Sequence, residues 1–142
     1  MKEQNYKNHS RYLPVWHLLV PILLLALLGG SINNLRIAAA ENQYSAALLI
    51  LVAALFIIYY IYTRGFPLRA QDRAIRAEER LRYFQLTGQP LDPRLRMSQI
   101  IALRFASDDE FVALAKRAAD ENMSAKDIKL AIRNWRADFN RV

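Results

Sequence analysis

Few residues in this chain could carry acid–base, nucleophilic or metal chemistry. None of the 142 residues is cysteine, which excludes disulfides, thiolate metal sites and cysteine nucleophiles. The two histidines, His9 and His17, lie within the first 17 residues. Neighbouring carboxylates occur at Asp108, Asp109 and Glu110, but they open a helical pattern, where negative charge stabilises the helix dipole. The sequence therefore predicts no catalytic residue, no cofactor and no metal site.

Basic side chains dominate the charge and are unevenly distributed. The formal net charge is +7, and 16 of the 20 Lys and Arg residues follow Thr63. One group follows a single face of a predicted helix, where it could contact anionic lipid headgroups: Arg69, Arg73, Arg76 and Arg80. A second group recurs at i, i+3, i+7 and i+10 near the end of the chain: Lys126, Lys129, Arg133 and Arg136. This second group suits a protein partner or, less favourably, nucleic acid, because a basic patch without a reader motif is weak evidence.

Two long apolar runs precede most of this charge. Residues 13–32 and residues 44–62 contain no Asp, Glu, Lys or Arg. Each run is long enough to cross roughly 30 Å of hydrocarbon as a helix. Trp16 lies near the start of the first run and three tyrosines lie near the end of the second, as expected for aromatic side chains at the headgroup level. The sequence therefore predicts a transmembrane helical hairpin.

We predict an all-α membrane protein, in which this hairpin is followed by a small cytoplasmic domain of about four helices. The predicted segments are a cytoplasmic N-terminal segment (1–12), transmembrane helix 1 (13–35), a short extracytoplasmic loop (36–43), transmembrane helix 2 (44–63), a basic juxtamembrane helix (64–90) and a three-helix cytoplasmic domain (91–142). Because Lys and Arg concentrate on the cytoplasmic side of membrane helices, both termini are expected in the cytoplasm.

A secretory signal peptide is the alternative interpretation of the first apolar run. A basic start, an apolar stretch and three alanines at residues 38–40 resemble such a signal and its cleavage site. The run is longer than a typical signal core, however, and Arg36 lies between it and the alanines. These features favour an uncleaved span.

The juxtamembrane helix is expected to be separate from the second span. Gly65 and Pro67 predict a break, and Gly88 predicts the helix end. Between these residues an apolar set shares one helix face: Ala74, Ala77, Leu81 and Phe84.

Three shorter helices are predicted after it. The first runs from about residue 95 to residue 106. The second begins at Ser107, forms a capping box with Glu110 and ends near Asn122. The third begins at Ser124, with Asp127 in the corresponding position, and buries an apolar stripe that includes Ile128, Ala131, Ile132, Trp135 and Phe139.

Three segments carry a family resemblance: EQNYKNHSRY (residues 3–12), DPRLRMSQIIALRFASDDEF (92–111) and KDIKLAIRNWRADFNRV (126–142). Together with the hairpin, they resemble an uncharacterised family of small two-span bacterial inner-membrane proteins, a domain of unknown function. The resemblance implies a bacterial inner-membrane location and an uncleaved N-terminus. It implies no activity, ligand or catalytic residue.

The functional prediction is a non-enzymatic membrane-anchored interaction protein, for example an accessory subunit of a larger inner-membrane complex. Its expected partners are a bilayer with anionic headgroups and either another membrane protein or a homo-oligomer. The alternative is a membrane-tethered nucleic-acid-binding protein that uses the basic last helix. A subunit that completes the site of another enzyme or transporter remains a third possibility.

Overall fold

The computed structural model describes residues 4–6, 8 and 12–138, and over these residues the chain is helical with one isolated β-bridge. The helices are α1 (Val20–Ile37), α2 (Gln43–Thr87), α3 (Met97–Leu103), α4 (Asp108–Asp120) and α5 (Ala125–Ala131). A π-helical turn, Val15–Leu19, precedes α1, and a 3₁₀ turn, Ala40–Asn42, precedes α2. The predicted all-α class is confirmed. The chain forms two compact units, one of which is Tyr12–Phe66 and the other the residues before and after it.

The first unit contains the apolar runs. The helical stretches Val15–Ile37 and Ala40–Thr87, of 23 and 48 residues, are long and apolar enough to cross a membrane. Only 6 % and 11 % of their most apolar windows are buried within the chain. In this respect they differ from the core helices of soluble proteins, which bury their apolar side chains.

Each of these helices buries one narrow stripe of side chains. On α1 the less exposed positions recur every three or four residues: Val20, Leu24, Leu28, Ser31 and Leu35. On α2 a matching set recurs in the same way: Ala46, Ile50, Ala53, Ile57 and Tyr60. The most buried positions are the small residues Ser31, Ala46 and Ala53. Small side chains allow helix backbones to approach closely, which is how helices pack in an apolar solvent.

The predicted helix break at Gly65 and Pro67 is wrong. Helix α2 continues through both residues to Thr87. Proline lacks only its own N–H and therefore removes one bond, to the carbonyl of Thr63, while the bonds on either side remain. The predicted stop at Gly88 is confirmed: its φ is 69°, and its N–H donates to the carbonyl oxygen of Phe84 at 2.7 Å.

The second unit packs α3, α4, α5 and the second part of α2 around one core. Its largest fully buried apolar side chains are Phe105, Phe111, Ile100, Leu103 and Ile128. Phe105 also contacts Trp135, with ring centroids 4.9 Å apart.

Helices α3 and α5 are shorter than predicted, and for one reason. The chain leaves α3 after Leu103, so that Ala106 can form the β-bridge with Trp135. In this bridge the N–H of Arg136 donates to the carbonyl oxygen of Phe105 at 2.8 Å. Trp135 consequently lies beyond the end of α5 at Ala131, whereas Phe139 lies outside the described residues.

The predicted start and end of α4 and the predicted start of α5 are confirmed, but one capping box is wrong. The Ser124 side chain accepts from the N–H of Asp127 at 3.1 Å, as expected. Ser107 is the N-cap of α4 but forms no side-chain capping bond. The Glu110 carboxylate instead accepts the N–H groups of Arg133 and Asn134, each at 3.1 Å. Residue Asn122, just past α4, has φ 49° and ends the helix as predicted.

Candidate functional site

The second part of α2, residues 67–87, presents a polar face to the core of its own unit. Ile75, Glu79 and Arg82, spaced i, i+4 and i+7, are the buried side chains of this stretch, with 6 %, 5 % and 8 % of their surface exposed. Helix periodicity brings these three positions onto one side. The helix is therefore held by charged groups, although its sequence also offers an apolar face.

Arg82 makes most of the polar contacts on this face. Its Nε donates to Asp108 Oδ1 at 2.7 Å, its Nη2 to the carbonyl oxygen of Ala106 at 2.7 Å, and its Nη1 to Glu79 Oε2 at 3.0 Å. The guanidinium also lies 4.2 Å from the ring centre of Phe111, within cation–π range. Arg82 thus joins α2 to the start of α4.

Burial raises the pKa of the Glu79 carboxyl above its ordinary value of 4.5. The hydrogen bond and the positive charge of Arg82 oppose this shift, as does the charge of Arg136, while the neighbouring carboxylate of Glu78 adds to it. Since desolvation disfavours the charged form, ionised Glu79 depends on Arg82.

A second polar contact joins the start of the chain to its end. Gln4 Nε2 donates to the carbonyl oxygen of Asp138 at 3.3 Å, and the N–H of Asp138 donates to Gln4 Oε1 at 2.8 Å. The Asp138 carboxylate also lies 3.3 Å from Arg104 Nη1. Residues close to both termini therefore belong to the same unit.

An exposed charge cluster joins the loop before α3 to α4. The hydrogen bonds that Arg94 donates to Asp92 lower the pKa of this carboxyl, and the bonds to Asp92 and Asp120 raise the pKa of Arg94. Because the groups are exposed, this cluster orders the loop more than it stabilises the fold.

The predicted apolar face of α2 is present but uncovered. Ala74, Ala77, Leu81 and Phe84 are all exposed, with 58 % of Leu81 and 55 % of Phe84 accessible. Ala70, also exposed, extends the row by one step. We call these five residues, Ala70, Ala74, Ala77, Leu81 and Phe84, the apolar seam. Within residues 67–87, Leu81 and Phe84 are the large apolar groups on this side of the helix, and more than half of each side chain is uncovered.

The predicted lipid-contacting arginines form a second exposed face of the same helix. All four belong to α2 and all four are exposed: Arg69, Arg73, Arg76 and Arg80. At about 100° per residue they fall within one sector beside the apolar seam. The structure thus brings this predicted set together.

The second basic set is not brought together on one helix. Lys126 and Lys129 lie on α5, but Arg133 and Arg136 follow its end at Ala131. The predicted basic face over about three helical turns is therefore wrong, because the bridge to Ala106 draws the chain out of the helix. Lys129 Nζ lies 5.8 Å from the ring centre of Phe105 instead.

The groups that could carry chemistry have structural partners. Asp108 binds Arg82 and Glu110 accepts backbone N–H groups. The His17 Nδ1 lies 2.9 Å from the carbonyl oxygen of Leu13, while its ring stacks on Tyr12 at 4.8 Å. His9 lies outside the described residues. Within the described part of the chain, no three His, Asp or Glu side chains could hold a metal ion.

Two clefts mark the surface of the second unit. One, of about 500 Å³, lies between α2 and the segment after α5, and is lined by charged side chains such as Glu78, Arg104 and Arg136. The other, of about 670 Å³, lies between α4 and α5. Both are open, and each is lined by acidic and basic groups.

Sequence reasoning missed the buried role of Glu79 and Arg82. One signal was available: both occupy the helix positions that follow Ile75 by one and two turns. Charged residues are almost never fully buried unless paired. The apolar pattern alone therefore predicted that the face with Leu81 and Phe84 would be buried.

Comparison with known proteins places the chain at the level of a family. Neither the curated proteins nor the solved structures contain a match. Residues 1–142 match a family of unknown function, DUF6526. The match covers the apolar runs and the helical unit alike, so the chain belongs to this family of unknown function, DUF6526.

Proposed function

We propose that this chain is a non-enzymatic, membrane-anchored interaction protein that presents one face of a helix to a partner, as an accessory subunit of a larger inner-membrane complex does. The observation that carries the proposal is the apolar seam. Leu81 and Phe84 are 58 % and 55 % exposed, although the rest of the unit has a well-packed core. Covering such side chains contributes about 25 cal/mol per Å² of apolar surface.

Membrane anchoring is supported by the surface of the first unit. The large apolar side chains of its two helices point outwards, for example Leu25 and Ile61, which are 65 % and 62 % exposed. A bilayer removes this surface from water, and helices satisfy their own backbone hydrogen bonds there. The proposed location is the inner membrane of a bacterium, crossed twice.

The pair of hydrogen bonds between Gln4 and Asp138 supports the same topology. Two residues in direct contact lie on the same side of a membrane, and this requires an even number of spans between them. The concentration of Lys and Arg after Thr63 favours the cytoplasm for that side.

The arginine face supplies the proposed contact with anionic headgroups. Arg69, Arg73, Arg76 and Arg80 are exposed on one side of α2, soon after its apolar part. A basic residue close to an anionic leaflet contributes about 1 kcal/mol. These contacts would orient the helix without covering the apolar seam.

The proposal is tested by placing a photoreactive phenylalanine analogue at Leu81 in the full-length chain. Irradiation of native membranes should produce covalent adducts with a protein. The matched control is the same analogue at Lys116, an exposed position on α4, where far fewer adducts are expected. If Leu81 yields only lipid adducts or none, the apolar seam is not a protein-binding face and the proposal is wrong.

A further inference from the structure

We infer that the apolar seam binds a second copy of the same chain, with the two α2 helices parallel and in register. This inference rests on the proposed function and names its partner. It follows from the spacing of the seam, from the charges on its two sides and from the orientation that a membrane imposes.

The spacing of the apolar seam is that of a two-stranded coiled coil. Its steps along the sequence alternate between four and three residues, from Ala70 to Ala74, Ala77, Leu81 and Phe84. Apolar residues at this 3.5-residue repeat occupy the a and d positions, which face the partner helix. Leu81 and Ala74 take a positions, and Ala70, Ala77 and Phe84 take d positions. An exposed apolar row with this repeat is better suited to bind another helix than to bind a flat surface.

The two borders of the seam carry different groups. Arg73 and Arg80 occupy g positions on one border, and Gln71, Glu78 and Gln85 occupy e positions on the other. All five belong to α2. In a parallel pair the g residue of one helix meets the e residue five positions later on its partner. Arg73 of one copy would therefore meet Glu78 of the other, and the two-fold axis would form this ion pair twice.

The same borders disfavour an antiparallel pair. There g residues meet g residues and e residues meet e residues, so arginines would face arginines across the seam. Like charges placed opposite each other select against that arrangement. Every copy of a membrane protein has the same orientation in the bilayer, which independently favours parallel helices.

The seam can bind a partner without disturbing its own unit. Ile75, Glu79 and Arg82 contact the core from a sector centred roughly 140° around the helix axis from the centre of the seam, at about 100° per residue. Arg82 therefore keeps its bonds to Asp108 and Ala106. The second copy adds to the structure and displaces none of it.

The seam is short, so its apolar contacts alone contribute little to the free energy of dimerisation. Residues 70–84 span about 21 Å of helix at 1.5 Å per residue, and three of the five seam residues are alanine. Alanine allows a close approach but buries little surface, so Leu81 and Phe84 supply most of the apolar contact. The shared membrane supplies the rest, since confinement raises the effective concentration of one copy near another.

The test uses the full-length chain in native membranes. Because the sequence contains no cysteine, any disulfide-linked dimer must form through the single introduced cysteine. Ala77→Cys, on the seam, should form a disulfide-linked dimer on mild oxidation. The control is Lys116→Cys, which is exposed on α4 and lies outside both the apolar seam and the arginine face, and it should form several-fold less dimer.

Charge exchange tests the register. In the Ala77→Cys background, either Arg73→Glu or Glu78→Arg alone should reduce the crosslinked dimer several-fold, because like charges then meet. The two changes together should restore it. All three variants replace exposed residues, and unchanged protease resistance of the second unit would confirm that they fold.

The outcomes separate this inference from the proposed function. If Leu81 crosslinks to a protein but Ala77→Cys gives no more dimer than Lys116→Cys, the partner is another protein. The inference is then wrong, while the proposed function stands. If dimers form but the double exchange does not restore them, the parallel register is wrong. If neither probe captures a protein, both proposals fail.

Discussion

Tyr60 donates its hydroxyl to the backbone carbonyl oxygen of Trp16 at 2.8 Å, and the two rings stack with centroids 4.7 Å apart. The contact joins the π-helical turn before α1 to the later part of the apolar stretch of α2, 44 residues away in sequence. In a π-helical turn a carbonyl accepts from the N–H five residues later; for Trp16 that residue is Pro21, which has no N–H, and the tyrosine hydroxyl donates instead.

Tyr60→Phe should weaken the packing of the first unit slightly. Only the hydrogen bond is lost, and such bonds between membrane helices are worth about 0.6 kcal/mol. Tyr60→Ala should cost more because the stacking is lost as well. Titration with a denaturing detergent, followed by tryptophan fluorescence, measures both. Tyr59→Phe is the control, since Tyr59 is 68 % exposed, and an equal effect there would contradict the prediction.

Arg82→Met should destabilise the second unit by about 3–5 kcal/mol, because it leaves the buried Glu79 carboxylate without its ion-pair partner. Arg80→Met, an exposed neighbour, should change the free energy of unfolding by no more than about 0.5 kcal/mol. Urea unfolding of the full chain in mild detergent measures the difference. Similar values for the two variants would show that the Arg82 contacts do not hold the unit together.

Glu79 should make stability depend on pH. Its pKa is raised by burial above 4.5 in the folded state, so the folded chain binds this proton more tightly than the unfolded chain. The resulting stabilisation is fully present below about pH 4.5 and is lost as the pH rises through the raised pKa. The free energy of unfolding of the wild type, minus that of Glu79→Gln, should therefore fall across this range. A flat or rising difference would contradict this prediction.

The two serine N-caps should respond differently to alanine. Ser124→Ala removes the bond to the N–H of Asp127 and should cost about 1 kcal/mol. Ser107 Oγ is buried and has no hydrogen-bond partner among the described residues. Ser107→Ala should therefore be neutral or stabilising, since an unsatisfied buried hydroxyl is itself unfavourable. Thermal unfolding of the two variants side by side gives the comparison, and equal losses would contradict it.

The proposed topology predicts the signals of reporter fusions. A reporter that is active only outside the inner membrane should give no signal when fused after Val142, and a signal when inserted after Gln43. The reason is the excess of Lys and Arg beyond Thr63. A reporter active only in the cytoplasm should give the opposite pattern. Strong external activity at Val142 would overturn the arrangement.

The sequence predicts several helical features correctly from local patterns, although the local signals at Gly65, Pro67 and Ser107 were misleading. The two apolar runs, the stop at Gly88 and the Ser124 cap depend on neighbouring residues alone, and all three are found in the structure. The extents of α3 and α5 depend instead on the bridge between Ala106 and Trp135. A pairing over this distance leaves no trace in helical periodicity, and both helices were predicted too long.

The candidate site could be predicted only in part, because helix periodicity is local whereas the pairing of Arg82 is not. The four arginines and the apolar face were assigned correctly to one helix, because helix periodicity decides which positions share a side. Which face the core would cover depended on Asp108 and the carbonyl of Ala106, which arrive from another segment to pair with Arg82. Tertiary pairing made the charged face the buried one and left Leu81 and Phe84 exposed.

The bonds between Gln4 and Asp138 also determine an order of events during synthesis. Asp138 follows Gln4 by 134 residues in the sequence, so it emerges from the ribosome only after both apolar helices. Ribosomes add about 5–20 residues per second, so the beginning of the chain waits for its contact for several seconds at least. This contact therefore forms only after both apolar helices have been made, and a chain that stalls before Asp138 would leave Gln4 without its partner.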